Sequence, residues 1–481
     1  MGRIRLALIR PLIRKYTNSQ SPAAFESSIG LVPPLNLCCL AAAAEEAGFE
    51  VAIHDCEAHQ NSEKDLEEFL MSYRPDVVGI SIITTNFHGA LDTARIARRL
   101  VPQAKILCGG THMMIFPEET LSYPEFDYGF IGEAERPLVQ FLQSLENNTP
   151  DRAAIPGLVW REGEKVLMNR NYGFNEDLDA LPFPAYHLLD LSKYQMPNAE
   201  GTVISLFLSR GCPFDCGFCY RNPQLRRLRF KSTKRAVEEI EHMIRNYSVT
   251  SINFVDEAIT IQKDRFLDFC LKLKERKWDL EWQSPTRVSS IDEEIVIAAR
   301  EAGCHAFRFG IESGNDKVLA RINKAVTCEM SERALKLCRR HGIKTVGYFI
   351  IGYLGEDAST INQTIEFACR AHPDYAAFFP AIPMPRTRLC EECEAQGLIP
   401  KDYWRDFVLG KREDPLPFLF PNAGDLVAQA YRRFYFAPGH ILSQMRTREF
   451  YRNFSKKLTF AFRLLFMRFK RGDASPEKVA P

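Results

Sequence analysis

The 481-residue chain lacks a charge bias, a long hydrophobic run and any internal repeat. Its 62 Lys and Arg balance 61 Asp and Glu, so the net charge of +1 gives no reason to expect a nucleic-acid partner. No stretch approaches the ~20 apolar residues of a transmembrane helix, and no signal peptide is evident. The fourteen cysteines are irregularly spaced, which favours a reducing cytoplasm over a disulfide framework.

Strand and helix signals alternate along most of the chain, and this pattern predicts an α/β protein. Residues 1–145 read as a flavodoxin-like, doubly wound parallel sheet, and residues 146–198 as a connector with a β-hairpin that joins two domains. Six strand–helix units at 199–400 predict a partial (β/α)6 barrel. Residues 401–481 read as a substrate-facing cap followed by a helical, basic tail.

The stretch Cys212-Pro-Phe-Asp-Cys216-Gly-Phe-Cys219 places three cysteines within eight residues, after an apolar strand signal at Val203–Leu208. Its glycine and proline residues disfavour regular structure, so the three thiolates can converge. No further Cys or His occurs between Tyr220 and Glu241, which disfavours zinc. Three thiolates favour a four-iron cluster with one iron open to another ligand. The alternative is three buried cysteines on a loop.

Ligands of parallel sheets bind beyond the carboxyl ends of the strands. In the second domain those ends carry polar, charged and glycine residues: Asp256, Glu257, Arg287, Glu312, Ser313 and Gly352. Alternatively, the acidic residues could stabilise the starts of helices, and Arg287 could be an ordinary surface arginine. In the first domain the strand ends carry small, hydroxyl-bearing and acidic residues: Ser81, Thr84, Gly109, Gly110, Gly132 and Glu133. A flavodoxin-like domain without a cofactor remains an alternative there.

These motifs resemble the radical S-adenosylmethionine superfamily, in the cobalamin-dependent branch that includes methyltransferases and the anaerobic porphyrin monoester cyclase. The resemblance rests on the cysteine motif, with an aromatic residue before its last cysteine, and on the strand-end signals that follow. In the first domain it rests on Pro75–Ser81, Gly109–His112 and Gly132–Glu135. It implies a [4Fe-4S] cluster, S-adenosylmethionine on the open iron, and cobalamin. In this family the cluster cleaves S-adenosylmethionine to a 5′-deoxyadenosyl radical that abstracts hydrogen.

The resemblance also assigns roles to residues. The cluster ligands would be Cys212, Cys216 and Cys219. Contacts to S-adenosylmethionine would come from Phe218 and Tyr220 at the adenine, Asp256 and Glu257 at the amine, Arg287 at the carboxylate, Glu312 and Ser313 at the ribose, and Gly352 at the adenine. Contacts to cobalamin would come from Ser81, Thr84, Gly109, Gly110, Gly132 and Glu133.

One departure concerns the cobalt ligand. Many cobalamin domains carry Asp-x-His-x-x-Gly, whereas this chain has Asp55-Cys-Glu-Ala-His59-Gln60, with another spacing and no glycine. The motif therefore does not supply the ligand. His54, His59 and His112 stay as candidates, and each could equally be an ordinary polar loop residue.

The sequence leads to a cytoplasmic enzyme that modifies an unreactive carbon of a large apolar substrate such as a lipid or isoprenoid, by methylation. Alternatives are oxidative cyclisation of a tetrapyrrole and a non-catalytic cobalamin or iron–sulfur sensor. A flavodoxin or ferredoxin would supply electrons. Residues 446–471 hold nine Lys or Arg and one Glu among bulky apolar residues, which suits contact with the inner face of an anionic membrane or packing on the barrel.

Overall fold

A computed structural model describes residues 3–13, 30–147, 151–196, 201–220, 222, 226–412, 416–420 and 422–446, with a few positions up to 464. The predicted basic tail lies largely outside the described residues. Within them, none of the helices has both the length and the apolar character needed to cross a bilayer.

In its described residues, the N-terminal domain contains one seven-stranded sheet and five α-helices. Its strands are β1 Arg5–Arg10, β2 Glu50–Asp55, β3 Val77–Ser81, β4 Lys105–Gly109, β5 Tyr128–Phe130, β6 Leu158–Glu162 and β7 Lys165–Met168. Its helices are α1 Leu35–Glu46, α2 Glu63–Tyr73, α3 Phe87–Leu100, α4 Pro117–Leu121 and α5 Glu135–Glu146. The strand order is β2-β1-β3-β4-β5-β6-β7, and the first five strands are parallel. The order 2-1-3-4-5 is that of flavodoxin-like folds, as predicted.

The hairpin β6–β7 belongs to this sheet. Strand β6 pairs antiparallel with β5, with Tyr128 opposite Trp160 and Phe130 opposite Leu158. The sequence shows the hairpin but not its partner strand, because the pairing depends on side chains about thirty residues away. The hairpin therefore extends the first domain instead of joining two domains.

The second domain is built on six parallel strands in sequential order. A two-stranded ribbon, β9 Ser209–Arg210 and β10 Arg229–Phe230, lies outside this sheet. The six strands are β8 Thr202–Leu206, β11 Val249–Phe254, β12 Glu281–Thr286, β13 Cys304–Glu312, β14 Lys344–Ile351 and β15 Tyr375–Pro380. The intervening helices are α6 Thr233–Tyr247, α7 Lys263–Arg276, α8 Glu293–Glu301, α9 Asp316–Ile322, α10 Cys328–Arg340 and α11 Ala358–Ala371. This is the predicted partial barrel, called the half-barrel below.

Local sequence explains where most half-barrel helices begin. A polar side chain accepts a hydrogen bond from a backbone N–H of the first turn at Ser232, Asp292, Asn315, Thr327 and Asp357. Between helices and sheet lies an aromatic core that is fully buried at Trp282, Phe307, Phe309, Phe349 and Phe378. Packing of this core stabilises the sheet, and the carboxyl ends of its strands are available for ligand binding.

The C-terminal region contains α12 Arg388–Ala395, α13 Tyr403–Val408, α14 Ala423–Tyr435 and α15 Pro438–Met445. Helix α14 covers the edge strand β15, where the hydroxyls of Tyr431 and Tyr435 accept the backbone N–H groups of Phe378 and Ala376, each at 3.2 Å. The edge donors are therefore satisfied.

Helix α13 connects the two domains. Trp404 and Phe407 are 2% and 3% exposed and pack in the apolar cluster between the domains, and the substrate-facing cap stays a prediction. Their backbone and side-chain groups bond to both sides: His88 Nε2 lies 2.9 Å from the Phe407 carbonyl, and Trp404 Nε1 donates to the Pro383 carbonyl at 2.6 Å. Apolar side chains were needed here for packing between the domains.

Candidate active site between the two domains

The cysteine loop follows β8 at the carboxyl edge of the half-barrel. The ribbon β9–β10 pairs Ser209 with Phe230 and closes the loop at its base. Cys212 and Cys216 are buried and Cys219 is half-buried. None of the fourteen cysteines forms a disulfide. The three predicted ligands therefore lie on one loop that is held at both ends.

The half-barrel holds the middle of this loop through Gly217. Its N–H donates to the Ile322 carbonyl at 2.7 Å, and its own carbonyl accepts the N–H of Leu389 at 2.9 Å. A Cβ atom at position 217 would lie 2.7 Å from the Tyr353 hydroxyl and 2.8 Å from Arg388 Nη2. A larger residue at position 217 would therefore have to displace the ends of these two side chains.

Arg287 contacts the loop directly. Its Nη1 lies 3.9 Å from Cys216 Sγ, its guanidinium covers the Phe214 ring at 3.5 Å, and its Nη2 donates to the Lys324 carbonyl. Arg287 Nε is buried without a partner. The guanidinium therefore places a positive charge beside one of the three predicted ligands. Its predicted contact with the methionyl carboxylate stays a prediction.

The donors that the loop offers are three cysteine thiolates. In the part of the chain that the structure describes, no set of three or more His, Cys, Asp or Glu surrounds one ion-sized position. A [4Fe-4S] cluster is held by cysteine thiolates spread over its irons. Three cysteines on one loop, with an arginine against one sulfur, match that requirement.

A buried ion pair lies beside the loop, at the end of β13. Lys324 Nζ donates to Glu312 Oε1 at 2.6 Å, and both side chains are under 10% exposed. Glu312 has a left-handed backbone with φ of 69°. A Cβ at Gly310 would lie 2.4 Å from Glu312 Oε1 and 2.7 Å from Lys324 Nζ, so the pair requires glycine there. Lys324 Nζ is also 5.8 Å from the centre of the Phe218 ring.

Two predicted strand-end residues, Asp256 and Ser313, are buried and form hydrogen bonds with other protein groups. Asp256 is 1% exposed and accepts the N–H of Leu208 at 3.0 Å and the hydroxyl of Ser209, which ties β11 to the start of the cysteine loop. Burial raises the pKa of Asp256 to about 6. Ser313 is fully buried, and its hydroxyl lies 2.9 Å from that of Thr364. Their contacts with S-adenosylmethionine stay predictions, as does that of the exposed Glu257.

The remaining predicted residues line the loop and the neighbouring strand end. Phe218 and Tyr220 are half-buried and pack against the apolar cluster between the domains. Tyr220 also donates its hydroxyl to the Met114 carbonyl of the first domain at 3.4 Å. Gly352 has φ of 79°, and a Cβ there would lie 2.8 Å from the Phe420 ring. The cysteine loop thus contacts both domains.

The predicted cobalamin residues lie at the carboxyl edge of the first sheet. Nothing lies within 4 Å of a Cβ built at Gly109, so a ligand can approach the backbone there. Gly110 has φ of 101° and passes so close to the Ile82 carbonyl that a Cβ would lie 2.5 Å from it. Ser81 accepts a hydrogen bond from Asn36 at 2.9 Å. The space at Gly109 is what a large planar cofactor needs.

His112 is not available as a cobalt ligand. It is fully buried, with Nδ1 3.1 Å from Thr84 Oγ1 and Nε2 2.8 Å from Thr120 Oγ1. Because the Thr120 hydroxyl donates to the Phe116 carbonyl, it accepts from His112 Nε2, and Nδ1 accepts from Thr84. Burial and the nearby His88 lower the pKa of His112 to about 3. Thr84 therefore orients a neutral histidine.

The other two histidines lie together at the edge strand β2. The rings of His54 and His59 are 4.6 Å apart, and His54 stacks on Phe69. His59 is also within 3.1 Å of Asp65 and 2.9 Å of Lys193. Burial lowers the pKa of His54 to about 4. The ring nitrogens of His59 contact protein groups, whereas His54 Nε2 is buried without a hydrogen-bond partner, so His54 stays a candidate ligand.

Glu133 binds protein groups, and its contact with cobalamin stays a prediction. Both of its oxygens accept hydrogen bonds from Arg229 at 2.9 Å. Gly132, just before it, has φ of 87° and leaves room for the Tyr172 ring, which a Cβ would approach to 3.0 Å. The sequence missed these partners because Arg229 lies almost a hundred residues further along the chain.

Two family models match the chain in the order that the fold shows. The B12 binding domain matches residues 23–142, and the radical SAM superfamily matches residues 206–368. The chain is 32% identical to the "uncharacterized methyltransferase PH0819" of Pyrococcus horikoshii over 84% of this chain and 88% of that protein. The chain belongs to the cobalamin-dependent radical S-adenosylmethionine enzymes.

Two further relatives agree with this family. The anaerobic magnesium-protoporphyrin IX monomethyl ester cyclase of Rubrivivax gelatinosus is 29% identical over 84% of this chain and 74% of that protein. The solved structure of the cobalamin-dependent S-adenosylmethionine radical enzyme OxsB has the same fold, with a TM-score of 0.73, 18% identity, and coverage of 97% of this chain and 72% of that one.

The cofactors of a cobalamin-dependent radical S-adenosylmethionine enzyme are a [4Fe-4S] cluster, S-adenosylmethionine and cobalamin, as the sequence predicts. Sequence reasoning missed Lys324, the buried partner of Glu312. It follows a helix end at which Asn323 takes the left-handed conformation, and a lysine there looks like an ordinary surface residue. Only the approach of Glu312 from β13 shows that it is buried.

Proposed function

We propose that this enzyme methylates an unreactive carbon atom of a large, largely apolar substrate, with cobalamin carrying the methyl group. The observation that supports this most is the contact between the two cofactor regions. Tyr220, next to Cys219, donates to the carbonyl of Met114, which lies just beyond the carboxyl end of β4. Groups bound at the two strand edges would therefore be neighbours, as a transfer between them requires.

Exposed apolar side chains support an apolar substrate. Ile83 is 57% exposed just beyond β3 in the first domain, and Val255 is 45% exposed just beyond β11 in the second. Both lie at the carboxyl edges where the cofactors of such sheets bind. Ligand sites are lined mostly by hydrophobic side chains with a few polar groups that fix orientation.

The chain's own residues bind, orient and shield. The Glu312–Lys324 pair offers a carboxylate that can accept hydrogen bonds from hydroxyl groups and an ammonium that can donate to a carboxylate. Both groups occur in S-adenosylmethionine, which has ribose hydroxyls and a methionyl carboxylate. Phe218 and Tyr220 would keep water from the cysteine loop. When bound, the three cofactors supply one-electron and methyl-carrying chemistry that side chains lack. A flavodoxin or ferredoxin is the proposed electron donor.

Labelled methyl transfer tests this proposal. Anaerobic holoenzyme would receive S-adenosylmethionine with a trideuterated methyl group, a strong reductant and an extract of small molecules from the source cells. We expect formation of both S-adenosylhomocysteine and 5′-deoxyadenosine, and a product that is heavier by one trideuterated methyl group. Formation of 5′-deoxyadenosine without S-adenosylhomocysteine would contradict methyl transfer.

The second candidate is oxidative cyclisation of a tetrapyrrole. The 29% identity to the Rubrivivax cyclase over most of both chains favours it. Magnesium-protoporphyrin IX monomethyl ester is the probe: a cyclase would convert it to a product with an additional ring and would incorporate no deuterium. An unchanged probe together with a deuterated product in the first experiment would exclude cyclisation.

A further inference from the structure

Two arginines, the half-buried Arg210 and the buried Arg229, lie at the base of the cysteine loop. Arg210 on β9 and Arg229 on β10 are paired across the ribbon, and their side chains are 19% and 4% exposed. Arg210 precedes Cys212 by two residues. Arg210 also covers the Phe207 ring at 4.5 Å, and Arg229 covers the Phe174 ring at 5.1 Å. Any movement of these two side chains would be transmitted to the loop.

The carboxylates that bind these arginines come from the other domain. Arg229 donates through Nη1 and Nη2 to the two oxygens of Glu133, both at 2.9 Å. Arg210 Nη2 donates to Glu135 at 2.6 Å, and its Nη1 lies 3.3 Å from Glu133. Although burial acts to raise the pKa of Glu133, the bonds from Arg229 hold that pKa below its ordinary value. Glu133 is therefore an ionised partner at neutral pH.

Asn175, in the connector, completes the arrangement. Its backbone N–H donates to Glu133 at 2.7 Å, its side-chain amide donates to Glu135 at 2.9 Å, and its carbonyl accepts Arg229 Nη1 at 2.9 Å. Each of the four carboxylate oxygens thus has a donor. We call these five residues, Glu133, Glu135, Asn175, Arg210 and Arg229, the arginine clamp.

The position of the clamp suggests more than a stabilising role. Glu133 and Glu135 follow β5 at the carboxyl edge of the B12 binding domain, and the arginines lie at the base of the cluster loop. Buried ion pairs add little net stability, because desolvation offsets their attraction. A bidentate arginine–carboxylate pair does fix distance and angle. The clamp therefore constrains geometry between the two cofactor regions.

We propose that the arginine clamp sets the separation and orientation of the cobalamin edge relative to the three-cysteine loop, so that Glu133, Arg210 and Arg229 are positioning residues for methyl transfer. This rests on the proposed function for its kinetic consequence only. Two further contacts join the loop to other parts of the chain: Asn222 donates to the Tyr172 hydroxyl at 3.0 Å, and Tyr220 donates to the Met114 carbonyl at 3.4 Å. The clamp is thus one of several attachments of the loop.

Two variants test the clamp. Arg229→Lys keeps the buried positive charge that balances Glu133, so we expect the variant to fold. It loses the bidentate hydrogen bonds to the carboxylate. Glu133→Gln keeps the shape and removes the charge. The matched control is Glu176→Gln, which breaks the exposed Arg227–Glu176 bridge near the same ribbon. All variants would be loaded anaerobically, and their iron and cobalamin contents would be compared with those of the wild type.

The first readout is structural and independent of turnover. Pulsed electron paramagnetic resonance would measure the distance between cob(II)alamin and the reduced cluster in each holoenzyme. We expect a shifted or broadened distance in both clamp variants and the wild-type distance in the control. The second readout is the ratio of S-adenosylhomocysteine to 5′-deoxyadenosine. We expect it to fall at least about tenfold in the clamp variants, since a displacement of about 1 Å can cost about a hundredfold in rate.

The outcomes separate the possibilities. Wild-type distance and ratio in both clamp variants would overturn the proposal, as would an equal loss of both products at an unchanged distance, which indicates stabilisation alone. If the wild type itself forms no S-adenosylhomocysteine, the proposed methyl transfer fails, and the measured distance still decides the role of the clamp.

Discussion

Replacement of Glu356 by glutamine should change how the stability of this enzyme depends on pH. Glu356 follows β14 and is 7% exposed. Its Oε2 accepts the backbone N–H groups of Gly352 and Tyr353 at 2.9 and 2.8 Å, while Oε1 is buried without a partner. Burial raises the pKa of Glu356 to about 7, because the two N–H groups offset only part of the desolvation.

The magnitude follows from the difference between the folded and unfolded states. Between pH 4.5 and 7 the folded protein retains a proton on Glu356 that the unfolded chain has lost. The free energy of unfolding therefore falls as the pH rises through this window. A pKa difference from 4.5 to about 7 corresponds to about 3 kcal/mol, all of which is lost above pH 7. Glutamine does not ionise and keeps an oxygen for both N–H groups.

The assay is anaerobic urea unfolding of wild type and Glu356→Gln at intervals from pH 5 to 8.5. We expect the variant to gain stability relative to the wild type as the pH rises, by about 3 kcal/mol across the window. Glu329→Gln, an exposed site at the start of α10, controls for the loss of one negative charge. A difference between wild type and Glu356→Gln that is the same at every pH would refute the reasoning.

Three further predictions concern the site. Lys324→Met should destabilise the protein by about 3–5 kcal/mol in urea unfolding, because it leaves Glu312 buried without its partner. Addition of Glu312→Gln to this variant should restore stability but not S-adenosylmethionine binding. Gly310→Ala should weaken S-adenosylmethionine binding in equilibrium dialysis at least about tenfold, since its Cβ would displace the Glu312–Lys324 pair, whereas Gly439→Ala, with nothing within 4 Å, should bind as the wild type does. His112→Gln should leave the cob(II)alamin electron paramagnetic resonance spectrum unchanged, because both ring nitrogens already bind threonine hydroxyls; loss of a nitrogen splitting in the variant would show that His112 ligates cobalt.

The sequence predicted the two domains well because their signals are local. Buried strands such as Val77–Ser81 are short apolar runs, and several half-barrel helices start at a capping side chain such as Ser232 or Asp292. The cysteine motif also lies within eight residues, so its ligands could be named directly. Glu312 was recognisable as an acid at a strand end.

The rest depended on partners that are distant in sequence. Glu133 read as a cobalamin contact because its strand-end position is visible, while its partner Arg229 is not. His112 read as a candidate ligand until the hydroxyls of Thr84 and Thr120 accounted for both nitrogens. Trp404 read as part of a substrate-facing cap, because its aromatic character does not show that it is buried between the domains. In each case the sequence did not show the burial or the partners of the residue.

Reconstitution of the cluster tests the central claim most directly. Wild type, Cys212→Ala and Cys390→Ala would be loaded anaerobically with iron and sulfide, and then incubated with S-adenosylmethionine and a strong reductant. Cys390 is buried on α12, outside the loop, and serves as the control. We predict about four irons per chain and 5′-deoxyadenosine for the wild type and the control, and neither for Cys212→Ala. A Cys212→Ala variant that keeps its irons and still forms 5′-deoxyadenosine would contradict the account.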